Sequence, residues 1–233
     1  MAVNDLLTEA EINALLYGID SNASDNNLDE KSNNEQDPIK YAKNAKFIQK
    51  YIPEIDIICE RYIVCLQAFL GKHLHQNVEI TINNVLIETY IDYINSLSVP
   101  SSLNLLSNET SDLKLFLHLD TNLNYLIIEY YFGGNGKYLP KLNKQDFTKL
   151  ESHILKNVAE NTVSQLEKSW ELIQPMKFVL QDTMYDFQGN KIIQDDEVVG
   201  IIRFKTRLGS NEGHFDLAIP HSTMRIFKQL FDN

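Results

Sequence analysis

Large apolar residues recur at helical spacing between residues 42 and 75. Ile55, Ile58, Tyr62, Cys65, Leu66, Phe69 and Leu70 share one face, which predicts a helix or a pair of helices. Pro53 suits the first residue of the main helix, where its missing N–H costs nothing. The period then changes to two. Val78, Ile80 and Ile82, followed by Val85, Ile87 and Thr89, predict two strands joined at an Asn83-Asn84 turn. A short helix is expected near residues 90–97 and strands near 103–106 and 113–119. A further helix over about 122–132 should end at Gly133-Gly134.

The second half repeats this order. Thr148 and Glu151 have the spacing of a capping box, which predicts a helix running to about residue 173. Its inner face should carry Ile154, Leu155, Val158, Val163, Leu166 and Trp170, with Pro175 as the stop. Strands are expected over 176–185, 198–208 and 214–219. Ser222 is the expected cap of a closing helix carrying Met224, Phe227, Leu230 and Phe231. The stretch around 107–132 loosely echoes that around 210–231, which suggests an internal duplication. The fold class expected is α/β: a pseudo-twofold α/β/α sandwich, with a mostly antiparallel sheet flanked by long helices.

The first 40 residues have a different pattern. Thr8 and Glu11 form another capping box, and Ile12, Leu15 and Leu16 fall on one face, with Leu6 and Leu7 ahead of the cap and Gly18 behind. A helix of about nine residues is predicted, and a helix that short is marginal alone in water. Residues 20–37 are rich in Asn, Asp and Ser with Leu28 as their one large apolar residue, a composition that does not repay ordering entropy. The expected organisation is therefore a docking helix over 1–19, a disordered acidic tether over 20–40 and one folded domain over 41–233. An amphipathic helix on a polar tether suits capture by a groove on another protein, the alternative being that it docks on its own domain.

Charge sharpens this division. The chain carries a formal charge of −11, and residues 1–40 hold nine acids against Lys31 and Lys40. That acidic balance argues against nucleic acid as a partner. The N-terminus lacks the basic start of a secretory signal, and no apolar run approaches the roughly 20 residues of a membrane span, so a cytoplasmic location is expected. Cys59 and Cys65 lie six positions apart in a predicted helix, about 9 Å along its axis, too far to bridge. Both are read as buried free thiols.

Candidate chemistry is sparse. His73 and His75 sit two apart at a helix end, where side chains diverge, with no acidic or cysteine cluster nearby, so no metal site is expected. Ser102, Ser152 and Ser222 lack a nucleophile-elbow pattern, and His153 and His221 read as surface or boundary residues. No catalytic residue and no cofactor are assigned. Phe132-Gly133-Gly134-Asn135-Gly136 reads as a helix cap followed by a turn. Its glycines follow a helix instead of preceding one, which argues against a phosphate cradle.

Four segments together resemble one family. Leu7-Thr8-Glu9-Ala10-Glu11-Ile12-Asn13-Ala14-Leu15-Leu16 is similar to the L-S-x-x-E-I-D-A-L-L opening of the flagellar motor switch FliM family. Leu97-Ser98-Val99-Pro100-Ser101-Ser102-Leu103-Asn104-Leu105 resembles its L-P-V-P-T-x-L-N-L. Phe132-Gly133-Gly134-Asn135-Gly136 resembles its F-G-G-x-G, and Glu60-Arg61-Tyr62 its E-R-F. Asn13 stands for the usual Asp and Ser98 for the usual Pro. The resemblance implies the fold shared with the CheC chemotaxis phosphatases and a non-enzymatic place in the cytoplasmic ring of the flagellar basal body, peripheral to the inner membrane. It implies that Leu7, Thr8, Glu9, Glu11, Ile12, Leu15 and Leu16 bind a phosphorylated CheY-type response regulator. It implies that Gly133, Gly134, Asn135 and Gly136 meet the rotor protein FliG, with neighbouring copies of the chain alongside, to control rotation direction in chemotaxis. The chain stops at Asn233, where the family continues into a FliN-binding domain, so a FliN contact is not carried over.

The alternatives are a CheC-type phosphatase and a stand-alone regulator-binding module on the same fold. CheC-type enzymes resemble one another in an E-x-x-N on a long helix. In this chain only Glu30 has an Asn three positions on, at Asn33, within the tether. Glu60, Glu160 and Glu167 are followed instead by Ile63, Val163 and Trp170, side chains that cannot orient a water.

Overall fold

A computed structural model describes residues 38–108, 111–137, 146–171 and 173–232. The segment predicted as a docking helix, with Leu7, Thr8, Glu9, Glu11, Ile12, Leu15 and Leu16, lies outside the described residues, as does the rest of the acidic segment up to Asp37. Residues 36–233 form one compact unit.

The elements are α1 (Pro38–Leu74), β1 (Val78–Thr89), α2 (Tyr90–Ser96), β2 (Ser102–Asn108), β3 (Ser111–Leu119) and α3 (Thr121–Tyr131). The second half supplies α4 (Lys149–Trp170), β4 (Val179–Met184), β5 (Val198–Leu208), β6 (Asn211–Pro220) and α5 (His221–Phe231). The strands make one six-stranded sheet in the order β1-β5-β6-β3-β2-β4. Every ladder is antiparallel.

Exchanging β1 with β4, β2 with β5 and β3 with β6 returns the same order reversed, so the sheet has a pseudo-twofold axis. It passes between β3 and β6, where Leu117 faces Leu217, with Phe116 opposite Ala218 and His118 opposite Asp216 on either side. Each half lends its edge strand to the other: β1 pairs with β5, and β4 with β2. The pseudo-twofold sandwich read from the sequence is present, with unequal helical layers. One sheet face, through Leu115, Leu117, Leu119, Ile202, Phe204, Phe215 and Leu217, packs in one core with α1, α3, α4 and α5. The other face packs Leu103, Phe116, Val199, Ile201 and Ala218 against Tyr90, Tyr93 and Ile94 of α2 and against Phe187.

Several local expectations change. Residues 38–74 form one helix, which takes in Pro38–Lys40 and passes through Pro53. Pro53 removes one intrahelical donor, but Tyr51, Ile55 and Ile58 on either side are buried, and that packing outweighs the lost bond. Asn83-Asn84 is no hairpin turn. Residues 78–89 are one strand with a bulge at Asn83, because β5 continues alongside and supplies a partner on both sides of it. Ser222 does not cap α5. The helix starts two residues earlier, at His221, with no side-chain cap from Pro220, and the Ser222 N–H donates to the Glu197 carboxylate at 3.0 Å. α4 ends at Trp170, ahead of Pro175. Its capping box is complete, with Thr148 N–H donating to Glu151 at 2.7 Å. Both cysteines are free; Cys59 is buried, where burial first and then Asp56 push its thiol pKa up, but Cys65 is half-exposed.

Gly213 of β6 marks where α3 crosses the sheet. A Cβ there would lie 2.8 Å from the backbone nitrogen of Leu123. Gly213→Ala is expected to destabilise the domain by about 1–3 kcal/mol, measured by urea unfolding, because the obstacle is helix backbone and cannot swing aside.

Candidate functional site

The glycine-rich loop is built on the end of α3. Its start is fixed by Asp120, whose carboxylate accepts from the Leu123 N–H at 2.7 Å. At the other end Gly133 adopts φ 79°. Its N–H donates to the Tyr130 carbonyl at 3.0 Å and the Gly134 N–H to the Glu129 carbonyl at 2.9 Å. These two bonds form a Schellman cap, which satisfies carbonyls that the helix end would leave open. A Cβ on Gly134 would lie 2.9 Å from the Glu129 carbonyl oxygen, so this position closes against its own helix.

The loop is then fastened to the opposite half of the chain. The Gly136 carbonyl accepts from the Asn211 amide at 3.0 Å, and the Tyr130 hydroxyl donates to the Leu208 carbonyl at 3.2 Å. Gly136 is buried with φ 76°, and a Cβ there would lie 2.3 Å from the Asn211 amide nitrogen. Gly133, Gly134, Asn135 and Gly136 thus sit together in a pinned turn. Gly133 and Asn135 are exposed, Gly134 partly so. Beside them are two residues that spacing alone did not mark as contacts. Tyr131 and Phe132 pack edge to face at 6.3 Å between centroids, and Phe132 keeps 60% of its surface open. Their position on the outer side of α3 was the available signal, since the buried face takes Ile127, Ile128 and Tyr130.

The other two motifs within the described residues are structural. Tyr62 is buried edge-on against Phe204 and Phe215, at 6.2 and 6.1 Å, and Arg61 donates to the Ser169 carbonyl at 3.3 Å, tying α1 to α4. In the segment from Leu97 to Leu105, Ser102 donates to Asn124 at 3.1 Å and Asn104 to the Leu117 carbonyl at 3.0 Å. Thr121 donates to the Pro100 carbonyl at 2.7 Å, which moors α3 to the same segment.

That segment also covers a polar cluster missed in the sequence. His118 Nε2 lies 2.9 Å from Ser101 Oγ, and its Nδ1 is 3.8 Å from Asp216. Arg203 clamps Asp216 with bonds of 2.8 and 3.0 Å. A cleft of about 310 Å³ opens above, with Asn83, Ser98, Asp120 and His214 in its walls. Ser101 is fully buried and donates to the Ser98 carbonyl at 2.6 Å, so this is not a presented nucleophile. The network holds the seam between halves. His153 is exposed and His221 partly so, in line with their reading as surface or boundary residues, and His73 and His75 are exposed at the end of α1. Glu167, a carboxylate considered for phosphatase chemistry, accepts from the Phe178 N–H at 2.9 Å, where it orders the approach to β4. No group of three or more His, Cys, Asp or Glu suited to a metal occurs among the described residues.

Comparison with known proteins settles the family. A model of the flagellar motor switch protein FliM matches residues 48–232. The chain belongs to the FliM family. FliM of Pseudomonas aeruginosa is 24% identical over 232 residues, covering 100% of this chain and 71% of that protein. FliM of Escherichia coli is 24% identical over 234 residues, covering 99% and 69%. Among solved structures, the FliM middle domain of Vibrio alginolyticus superposes with a TM-score of 0.66 at 22% identity, over 76% of this chain and 98% of that one. A chain of the FliG–FliM complex from H. pylori gives 0.69 at 18%, over 76% and 98%. FliY of Thermotoga maritima gives 0.65 at 13%, over 82% and 96%. These likenesses confirm the sandwich. Among the described residues, no helix is long and apolar enough to cross a membrane.

Burial opposes the charge on Asp216, but His118 and Arg203 outweigh it and hold its pKa below the ordinary carboxylate value. The stabilisation is therefore present above the unfolded-state pKa of about 3.9 and is lost as pH falls through the lower folded value. Asp216→Asn is expected to cost about 1–3 kcal/mol near neutral pH by removing the partner of the partly exposed Arg203, and to flatten the acid limb of stability against pH. Urea midpoints measured between neutral and strongly acidic pH check both.

Proposed function

We propose that this motor switch protein is a non-enzymatic adaptor of the cytoplasmic ring at the flagellar basal body. Its 132–136 loop meets a FliG-like rotor protein, and its N-terminal segment takes a phosphorylated CheY-type regulator. Neighbouring copies stand beside it in the ring, and regulator capture biases the direction of rotation.

One observation carries the rotor contact. A turn poor in side chains is pinned at both ends, so a partner can approach its backbone with little ordering cost, and two open aromatic rings lie beside it. The H. pylori neighbour with this fold is a FliG–FliM complex, which supports the choice of partner. For the regulator, support comes from the capped apolar stripe Ile12, Leu15 and Leu16, with Leu7 and Thr8 at its start and Glu9 and Glu11 as acidic flanks.

Substitution at Gly134 or Gly136 breaks the cap or collides with Asn211, so those positions report on the fold as much as on contact. Phe132→Ala is the cleaner variant. It should weaken FliG binding in calorimetry by about 1–3 kcal/mol, the size of an aromatic anchor, with an unchanged melting temperature. Unchanged affinity would remove the loop from the interface.

A labelled peptide of residues 1–20 should bind the phosphorylated regulator more tightly than the unphosphorylated one in fluorescence anisotropy. Leu15→Ala should weaken it by about 1–3 kcal/mol. Equal, negligible binding in both states would discard the regulator role.

A further inference from the structure

α1 opens with Lys40, Lys43 and Lys46, followed by Lys50, and has no acid before Glu54. Of these, Lys40 lies in the first turn, where a cation opposes the positive end of the helix dipole. α5 starts alongside with His221 and Arg225, and its first turn also has no acid. Between them lies a cleft of about 810 Å³ lined by Lys40, Lys43, Lys46, Phe47, His221 and Arg225.

Among the described residues, the surroundings answer only part of this charge. Asp196 pairs with Lys40 at 3.0 Å, and Glu197 accepts from the Ser222 N–H. Lys43, Lys46 and Arg225 are exposed and make no ion pair among the described residues. A chain of net charge −11 thus gathers a cationic rim at one place. The wall is aromatic: the Phe47 and His221 rings meet edge to face at 5.1 Å. Burial first, then Arg225, lower the His221 pKa and keep that ring neutral at neutral pH.

We propose that this cleft docks an acidic peptide segment of a partner protein, with carboxylates on Lys43, Lys46 and Arg225 and one apolar side chain against Phe47. The site is distinct from the 132–136 loop and does not rest on its role. Charge complementarity selects an acidic occupant. The recessed aromatic wall selects a segment with side chains over a membrane surface, which would meet only lysine tips. The net charge of the whole chain disfavours a long nucleic acid.

The test uses the full chain and a fluorescein-labelled oligo-glutamate peptide with a central leucine. Binding is read by anisotropy at low and at physiological salt. The variant is Lys43→Glu/Lys46→Glu/Arg225→Glu. Its control, Lys72→Glu/Lys149→Glu/Lys156→Glu, makes the same change of charge at exposed lysines elsewhere. Circular dichroism verifies folding, and Arg225→Gln serves as a milder variant if the triple one fails to fold. The expected result is at least a tenfold loss in the groove variant, a smaller loss in Arg225→Gln, none in the control, and weaker binding at higher salt. Equal binding by groove variant and control, or no binding by the wild-type chain, would overturn the proposal. So would anionic vesicles or duplex DNA displacing the peptide from the wild-type chain while losing affinity for the groove variant, since the cleft would then serve a different polyanion.

Discussion

The pairing of β3 with β6 holds the rest of the structure in place. Leu117 meets Leu217 on the pseudo-twofold axis, and the edge strand of each half is finished by the other. Neither half has a complete sheet without its counterpart. The seam also brings His118 beside Asp216 on the thinner side of the sheet, and there Arg203 makes a buried carboxylate tolerable. Truncating one partner leaves a buried charge without an answer, so the cluster enforces the seam more than it adds stability.

The loop inherits its position from that seam. α3 leaves β3 directly, is started by Asp120, and crosses β6 where Gly213 has no side chain. Its last turn lands beside the β5–β6 connection, and Tyr130 and Asn211 join them. A turn made by the first half of the chain is thus clamped by the second. Packing that positions a loop this way leaves few degrees of freedom for a partner to freeze.

What could be read in advance was local. The Thr148–Glu151 box, the strand over 198–208 and the glycine stop after α3 depend on neighbours within a few residues, and each appears as expected. The pseudo-repeat was also legible, because α3 and α5 follow directly on β3 and β6. What failed depended on distant partners. Asn83-Asn84 has turn chemistry, yet β5 runs past it and makes it a bulge. Ser222 has cap chemistry, yet Glu197 supplies the acceptor from another segment. His118, Arg203 and Asp216 lie on three strands, and nothing in their spacing announces that they meet. The open faces of Tyr131 and Phe132 are set by which side of α3 the core covers. The capped apolar stripe Ile12, Leu15 and Leu16 lies outside the described residues.

Amide hydrogen exchange on the full chain, with and without a FliG-like rotor protein, tests the central claim most directly. The account predicts slowed exchange at residues 131–137 and at the β5–β6 connection that clamps them, with α4 unchanged. Protection over α4 and β4, with the glycine turn exchanging as in the free protein, would contradict it.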